Sequence, residues 1–427
     1  MSPPFGGPGA LGKTAEFRVR AARKSPFFAG ICFLDLLVEI HKTRFSVETF
    51  YLKANRLMTQ HTRLGKIALT LFLAACTACP LPTEAAPAAT PAAKPTRTSR
   101  SRHRYVRPEK GVDPTLGDIT NFDDPIVRAA AVEALGRYNG SVVAVDPNTG
   151  RILTVVNQKL AYSDGAIPCS TIKPTVALAA LEENVITRDT MLKVGRRKYM
   201  NLTDAMAHSN NEFFEELGRR MGFDTVSRYG RLLGLGELAG YNLQDEHPGS
   251  FPMAPPAKGG VARMSSFGEG IQMTPFQLVS LAAAFANGGT LYYLQYPEAG
   301  QDSTAFVPRI KRELNIGPLL PELREGMLAA VLYGTGKRSY DAGGDEMPAG
   351  KTGTCSDQIS HVGWFLTYAD EAHPKIALAV LIRGNSSRIK GPLAAGVAGR
   401  IYRRLREQNY FANQTARRTA EGLTSGH

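Results

Sequence analysis

The chain has 427 residues, of which 43% are hydrophobic, so it can bury a normal core and hold two or three domains. Its 51 Lys and Arg residues exceed its 38 Asp and Glu residues by 13, but the excess is uneven: residues 1–112 carry 18 basic and 6 acidic side chains, and residues 113–427 carry 33 and 32. Because a nucleic-acid-binding domain carries its positive charge on the folded part, this distribution argues against nucleic acid as a partner.

The first predicted element is an export signal over residues 58–79, which read MTQHTRLGKIALTLFLAACTAC. Two cations precede an uncharged apolar run of 12 residues, which is too short to span a bilayer comfortably. The tetrapeptide LAAC at 73–76 resembles a lipobox, in which Cys76 is lipidated and becomes the new N-terminus. Plain signal cleavage near residue 85 or 86 is the alternative.

A flexible, basic linker is predicted over 80–112, which is rich in Pro, Ala, Ser and Arg and has few residues able to enter a core. Upstream of the signal, the apolar stretch 27–40 contains Asp35 and Glu39, which argue against a spanning helix. We interpret residues 1–57 as an extension from a start codon assigned too early. A tether after an export signal predicts a domain at the periplasmic or extracytoplasmic face of the membrane, anchored by lipid or by the signal segment.

One folded domain is predicted over 113–410, with a tail over 411–427. Strands are predicted in a hairpin over 140–157 and at 349–354, 361–369 and 375–384; helices are predicted over 123–138, directly after Ser170, and over 202–220, 225–234, 274–287, 321–333 and 392–407. Because the strands come early and late, the pattern predicts an α+β fold. Its antiparallel sheet is assembled from both ends of the domain, with a helical insert on one side.

The heptapeptide PCSTIKP at 168–174 places Ser170 and Lys173 three residues apart where a loop becomes a helix. At that spacing, both side chains lie over one face of a helix, and the hydroxyl of Ser170 lies at the positive end of the helix dipole. The pattern S-x-x-K is weak evidence alone, because it has a second copy, SRIK at 387–390, which we read as a solvated surface pair. A nucleophile with its base and an ordinary helix-starting serine both remain open.

Two further motifs follow. HSNN at 208–211 contains Ser209 and Asn211 at a predicted helix start, where plain N-capping would explain them. KTGT at 351–354 begins a predicted strand, and its ordinary explanation is a turn into an edge strand with Lys351 in solvent. Each motif has an ordinary explanation alone, but all three in this order in one domain point to a common site.

With these motifs, the chain from about 125 to 405 resembles the transpeptidase domain of penicillin-binding proteins. Four further stretches are similar to that family: GSVVAVDPNTGRILTVVN (140–157), LGLGELAGYNLQDEHPG (233–249), GEGIQMTPFQLVSLAAAFANGG (268–289) and HVGWFLTYA (361–369). The resemblance implies a β-lactamase/transpeptidase-like fold with a helical subdomain. One departure is the short spacing of 39 residues between Ser170 and Ser209, which implies a trimmed helical part and a more open cleft.

The resemblance implies D,D-transpeptidase activity on peptidoglycan stem peptides that end in D-Ala-D-Ala, with β-lactams as inhibitors and no cofactor. Ser170 would attack the penultimate carbonyl, and Lys173 would be its base if burial and the charge of Lys351 keep Lys173 neutral. Ser209 would relay a proton to the leaving nitrogen. The backbone N–H groups of Ser170 and Thr354 would form the oxyanion hole.

The same resemblance implies the substrate-binding residues. Asn211 would hold the amide of the substrate. Lys351, Thr352, Gly353 and Thr354 belong to the strand that would bind the substrate, with the lysine and the two threonine hydroxyls around its terminal carboxylate.

Two cysteines lie close to these motifs: Cys169 directly precedes Ser170, and Cys355 directly follows KTGT. A similar pair forms a disulfide in some carbapenem-hydrolysing class A β-lactamases, which implies a Cys169–Cys355 disulfide in an oxidising compartment. Two small buried thiols are the alternative. No metal site is predicted, since the eight histidines show no paired spacing such as H-x-x-x-H.

Three other functions stay open. A serine β-lactamase uses the same acylation but needs a base for a deacylating water, for which Glu237 with Asn242 is the nearest candidate. A D,D-carboxypeptidase would use water as the acceptor. A non-catalytic β-lactam sensor or wall-binding scaffold would need no turnover, although the intact motif residues argue against a decayed site.

Overall fold

The computed structural model describes residues 113–297, 306–340, 347–357, 360–369 and 374–412. The predicted extension, signal with Cys76 and linker, which together cover 1–112, lie outside the described residues, as does the predicted tail beyond residue 412. Within the described ranges, no helix is long and apolar enough to cross a membrane.

Nine strands and nine α-helices are found in the described residues. The strands are β1 Gly140–Val145, β2 Ile152–Val156, β3 Leu192–Lys193, β4 Tyr199–Met200, β5 Thr290–Tyr292, β6 Ile310–Glu313, β7 Ala349–Ser356, β8 His361–Ala369 and β9 Ile376–Gly384. The helices are α1 Pro125–Leu135, α2 Gln158–Ala161, α3 Lys173–Glu182, α4 Leu202–Ala207, α5 Asn211–Leu232, α6 Gly260–Phe267, α7 Pro275–Ala286, α8 Leu320–Leu332 and α9 Gly391–Glu407.

Five strands form one antiparallel sheet in the order β2-β1-β9-β8-β7. The first two come from the beginning of the domain and the other three from its end. The β1–β2 turn closes where Asp146 N donates to Arg151 O at 2.9 Å, and where Gly150 takes a positive φ of 73° that a glycine adopts without strain. The predicted α+β fold is confirmed.

Both faces of the sheet are buried, and each face has its own core. On β8, Trp364 and Leu366 belong to one core and Phe365 to the other, because successive strand residues project to opposite faces. The first core includes residues of α3, α5 and α7, and the second includes residues of α1 and α9. Burial on both faces explains why β8 and β9 read as nearly continuous apolar runs.

The observed helices differ from the predicted ones around Ser209. The predicted helix over 202–220 is two helices, α4 and α5, because Ser209 takes a positive φ of 54° between them. Helix α5 then continues to Leu232, with non-helical backbone at Gly222, where the pattern predicts a gap between two helices. Helix α6 and the two-stranded pairs β3–β4 and β5–β6 have no counterpart in the prediction. The strands of those pairs are too short to display an alternating pattern.

Candidate active site

Ser170 lies in a short 3-10 turn, Cys169–Ile172, that leads directly into α3. Its exposed fraction is only 9%, so the hydroxyl is nearly shielded from bulk water. Cys169 takes a positive φ of 54°, which is uncommon for a residue other than glycine. The carbonyl of Ile167 accepts a hydrogen bond from Trp364 Nε1 at 3.0 Å, which holds the turn against β8.

Lys173 is the first residue of α3 and is fully buried. As an ammonium, its Nζ can donate hydrogen bonds to Ser209 O at 2.7 Å, to Ser209 Oγ at 3.2 Å and to Asn211 Oδ1 at 2.7 Å, and as a neutral amine it can donate to two of these and keeps a lone pair. Burial, and next the charge of Lys351, hold the pKa of Lys173 well below its ordinary value. This lysine can therefore be neutral, and act as a base, at a pH where a surface lysine is charged.

Lys351, on β7, also reaches Ser209. Its Nζ donates to Ser209 Oγ at 2.8 Å and to Thr352 O at 2.9 Å. Burial lowers the pKa of Lys351 to about 7. When both lysines are protonated, Ser209 Oγ accepts from both, so its own hydrogen is directed away from them.

Ser209 is free for these contacts because a neighbouring residue caps the helix. Asn210 Oδ1 accepts from Phe213 N at 2.8 Å at the start of α5. Asn211, the first residue of α5, directs Oδ1 to Lys173 instead. N-capping, the ordinary explanation of the motif, therefore belongs to Asn210 rather than to Ser209 or Asn211.

Gly353 allows β7 to approach the turn that carries Ser170. A Cβ at this position would lie 2.8 Å from Pro168 O and 3.1 Å from the Thr171 side chain, too close for either to remain in place. The glycine is therefore needed for the close packing of the two segments.

The hydroxyls of Thr352 and Thr354 have partners other than Lys351. Thr352 Oγ1 lies 2.6 Å from Thr335 Oγ1, and Thr354 Oγ1 accepts from Gly391 N, at the start of α9, at 2.7 Å. The family resemblance assigns both hydroxyls, together with the ammonium of Lys351, to the terminal carboxylate of the substrate. Within the protein, each of the three groups contacts a different neighbour. Thr335 lies in no motif, so sequence reasoning missed it.

Cys169 and Cys355 are joined by a disulfide, with their Cα atoms 5.7 Å apart. The bond connects the residue before Ser170 to the strand that carries Lys351. Because the two cysteines are 186 residues apart in the chain, it holds together parts of the site that come from the two ends of the domain.

Replacing both cysteines with serine is expected to lower the free energy of unfolding by about 2–5 kcal/mol, because a disulfide that closes a long loop restricts the unfolded chain. The check is the melting temperature with and without a reductant. The wild-type protein should lose stability on reduction, and the Cys169→Ser/Cys355→Ser variant should not respond. Alkylation of Cys169 and Cys355 in the unreduced wild-type protein, located by peptide mapping because the chain has three other cysteines, would contradict the bond.

Two residue pairs considered from the sequence do not join the contacts of Ser209 with the two lysines in the described residues. Ser387 and Lys390, of the second S-x-x-K copy, are both exposed, in agreement with a solvated surface pair. Glu237 forms ion pairs with Lys311 at 2.9 Å and Arg312 at 2.6 Å, which hold its carboxylate against β6. In the part of the chain that the structure describes, no group of three or more His, Cys, Asp or Glu residues is arranged to hold a metal ion.

Residues 140–403 match the family described as "Penicillin binding protein transpeptidase domain". The chain is 26% identical over 354 residues to stage V sporulation protein D of Bacillus subtilis (strain 168), a match that covers 70% of this chain and 54% of that protein. It is 25% identical over 366 residues to the peptidoglycan D,D-transpeptidase PbpA of Mycolicibacterium smegmatis, covering 67% of this chain and 72% of that protein. The chain thus spans about half the length of the Bacillus relative.

A solved structure with a similar fold is the transpeptidase domain of Burkholderia pseudomallei penicillin-binding protein 3. The TM-score is 0.57 at 19% sequence identity, and the match covers 67% of this chain and 94% of that one. The likeness in fold agrees with the helices and antiparallel sheet described above.

Proposed function

Because the chain belongs to the penicillin-binding protein transpeptidase family, we propose that it is a D,D-transpeptidase acting on peptidoglycan stem peptides that end in D-Ala-D-Ala. The main observation behind the proposal is that three motifs, far apart in the chain, contact each other at one hydroxyl. Ser209 Oγ lies 3.2 Å from Lys173 Nζ and 2.8 Å from Lys351 Nζ. Similar proteins named peptidoglycan D,D-transpeptidases, PbpA of Mycolicibacterium smegmatis and MrdA of Haemophilus influenzae, support the same activity.

In the first half-reaction, Ser170 Oγ attacks the carbonyl carbon of the penultimate D-alanine and its proton passes to neutral Lys173. The backbone N–H groups of Ser170 and Thr354 stabilise the oxyanion that forms. The carbon–nitrogen bond then breaks, and the nitrogen of the last D-alanine takes a proton through Ser209. The rest of the peptide remains as an ester on Ser170.

In the second half-reaction, an amine of a neighbouring stem peptide attacks the ester carbonyl. Its proton passes to Ser209 and Lys173 along the same path in reverse, and Ser170 Oγ leaves with a proton. One amide bond replaces another, and the two peptides are cross-linked. A β-lactam would open its ring on Ser170 by the first half-reaction and so act as an inhibitor.

Donors that have no partner among the described residues support the roles of the substrate-binding residues. In its protonated form, Lys351 has three donors and directs two of them to Ser209 Oγ and Thr352 O, which leaves one for the terminal carboxylate of the substrate. Thr354 Oγ1 accepts from Gly391 N and keeps its own hydrogen for the same carboxylate. Asn211 uses Oδ1 for Lys173, which leaves its amide N–H groups for a carbonyl of the peptide.

The same proposal includes the location and the partners. The domain over 113–410 would work at the extracytoplasmic face, held there by a lipid on Cys76 or by the signal segment 58–79 through the basic linker 80–112. Its partners would be peptidoglycan stem peptides, and β-lactams would be its inhibitors. Nucleic acid is not among the partners that we propose.

The proposal is tested with a synthetic peptide that ends in D-Ala-D-Ala, offered with and without an acceptor amine such as a D-amino acid. Mass spectrometry should detect released D-alanine together with a new amide between the peptide and the acceptor. Release of D-alanine without that amide would indicate a D,D-carboxypeptidase instead of a transpeptidase.

Rapid hydrolysis of penicillin would indicate a β-lactamase, although the ion pairs of Glu237 with Lys311 and Arg312 disfavour Glu237 as the base of such an enzyme. Absence of any turnover and of any β-lactam adduct would indicate a scaffold; an adduct alone would indicate a sensor.

A further inference from the structure

The side chain of Phe214 lies directly beside the amine of Lys173. Lys173 Nζ is 5.3 Å from the centroid of the Phe214 ring, over its face, and the ring is fully buried. Phe214 comes three residues after Asn211 on α5, so both lie on the same face of the helix, which also faces Lys173. A cation over an aromatic face is attracted by the ring quadrupole, and more strongly when water is excluded.

The charged groups around Lys173 act in two directions. Burial is the largest influence, and it disfavours the ammonium, as does Lys351 on β7. Glu212 and Glu215, both on α5, favour the ammonium. The Phe214 ring adds a further attraction for the ammonium without placing another charge in the site.

Resting on the proposed function, we propose that Phe214 is a positioning residue for Lys173, whose ring binds the ammonium that forms when Ser170 gives up its proton. The ring would do this in both half-reactions, because Lys173 takes a proton in each. Two consequences follow, in opposite directions. Without the ring, Lys173 would lose its proton at a lower pH, so more of it would be neutral in acid. The same amine would be a weaker base, so the maximal rate of acylation would fall.

The test compares Phe214→Leu with Phe213→Leu. Phe213 is an equally buried neighbour whose ring centroid lies 5.5 Å from that of Phe214, so its replacement removes the same volume from the same core. The rate of acylation by a penicillin is measured as a function of pH. For Phe214→Leu, the acid limb of this pH profile should move to lower pH by about one unit, and the rate on its plateau should fall about threefold. Phe213→Leu should keep the wild-type acid limb. An unmoved limb in Phe214→Leu, or the same movement in both variants, would overturn the role.

A second measurement does not depend on catalysis. In protein carrying ¹³C-labelled lysine, the ε-carbon signal of Lys173, assigned by its loss in Lys173→Met, should titrate about one pH unit lower in Phe214→Leu than in wild type. If Phe214→Leu does not fold, Phe214 can be replaced with 3,4,5-trifluorophenylalanine, which nearly keeps the shape of the ring and weakens its quadrupole. The titration of Lys173 is then expected to shift to lower pH in the same way. An unchanged titration would overturn the inference. If penicillin does not acylate the wild-type protein, the proposed function fails, and the titration still decides the role of Phe214.

Discussion

Replacing Lys173 with methionine is expected to slow acylation by a penicillin by about 10²- to 10⁴-fold, the usual contribution of a general base. The reason is that a serine hydroxyl is a weak nucleophile without an acceptor for its proton. Lys173 is the fully buried amine that starts the helix after the Ser170 turn, and burial and Lys351 keep its pKa low. Methionine has a similar length and fills the same space without the amine.

The measurement is the second-order rate constant for labelling with a fluorescent penicillin over a range of pH. In the wild-type protein, the rate should rise with pH as Lys173 loses its proton, because only the neutral amine can accept the proton of Ser170. That dependence should disappear in Lys173→Met. Lys159→Met is the matched control, since Lys159 is an exposed lysine on α2 and its replacement should leave the rate unchanged. A Lys173→Met variant that acylates at the wild-type rate would contradict the assignment of the base.

Replacing Ser170 with alanine is expected to have a still larger effect, with loss of covalent labelling and a fall in peptide turnover of at least about 10⁴-fold. The change removes only one oxygen atom from the side chain, so its effect on the stability of the folded state should be small. The melting temperature should stay within about 2 °C of wild type. Turnover assays and thermal unfolding on the same preparation separate a lost nucleophile from a lost fold.

The sheet could be predicted from the sequence because its strands display their burial in the pattern. β8 and β9 are apolar on both faces, and the turn between β1 and β2 has the sequence DPNTG. The residues of each segment are therefore enough to locate these strands and this turn in the chain. The S-x-x-K, S-x-N and KTG motifs likewise contain Lys173, Ser209, Asn211 and Lys351, which the hydrogen bonds described above join. Ser170, of the first motif, lies in the turn that leads directly to Lys173. The break between α4 and α5 is not visible in the pattern, because it depends on the positive φ of Ser209, whose hydroxyl contacts two lysines that are distant in the chain.

Other residues of the site could not be identified from a pattern. Thr335 contacts Thr352 across 17 positions of the chain, and a lone threonine after a helix carries no signal for such a contact. Phe214 reads as an ordinary core residue of an amphipathic helix, and only its distance from Lys173 indicates another role. Asn210 lies between the motif residues Ser209 and Asn211, and any of the three could cap α5. Asn210 is the cap because Lys351 and Lys173 use the side chains of the other two.

The most direct test of the account is to find which side chain a penicillin modifies. After a short exposure, the intact protein should gain the mass of one penicilloyl group, and peptide mapping should place that group on Ser170. The adduct should be absent from Ser170→Ala and form far more slowly in Lys173→Met. A stable adduct on another residue, or a wild-type protein that folds normally and acquires none, would contradict the claim that these motifs build one acylating site.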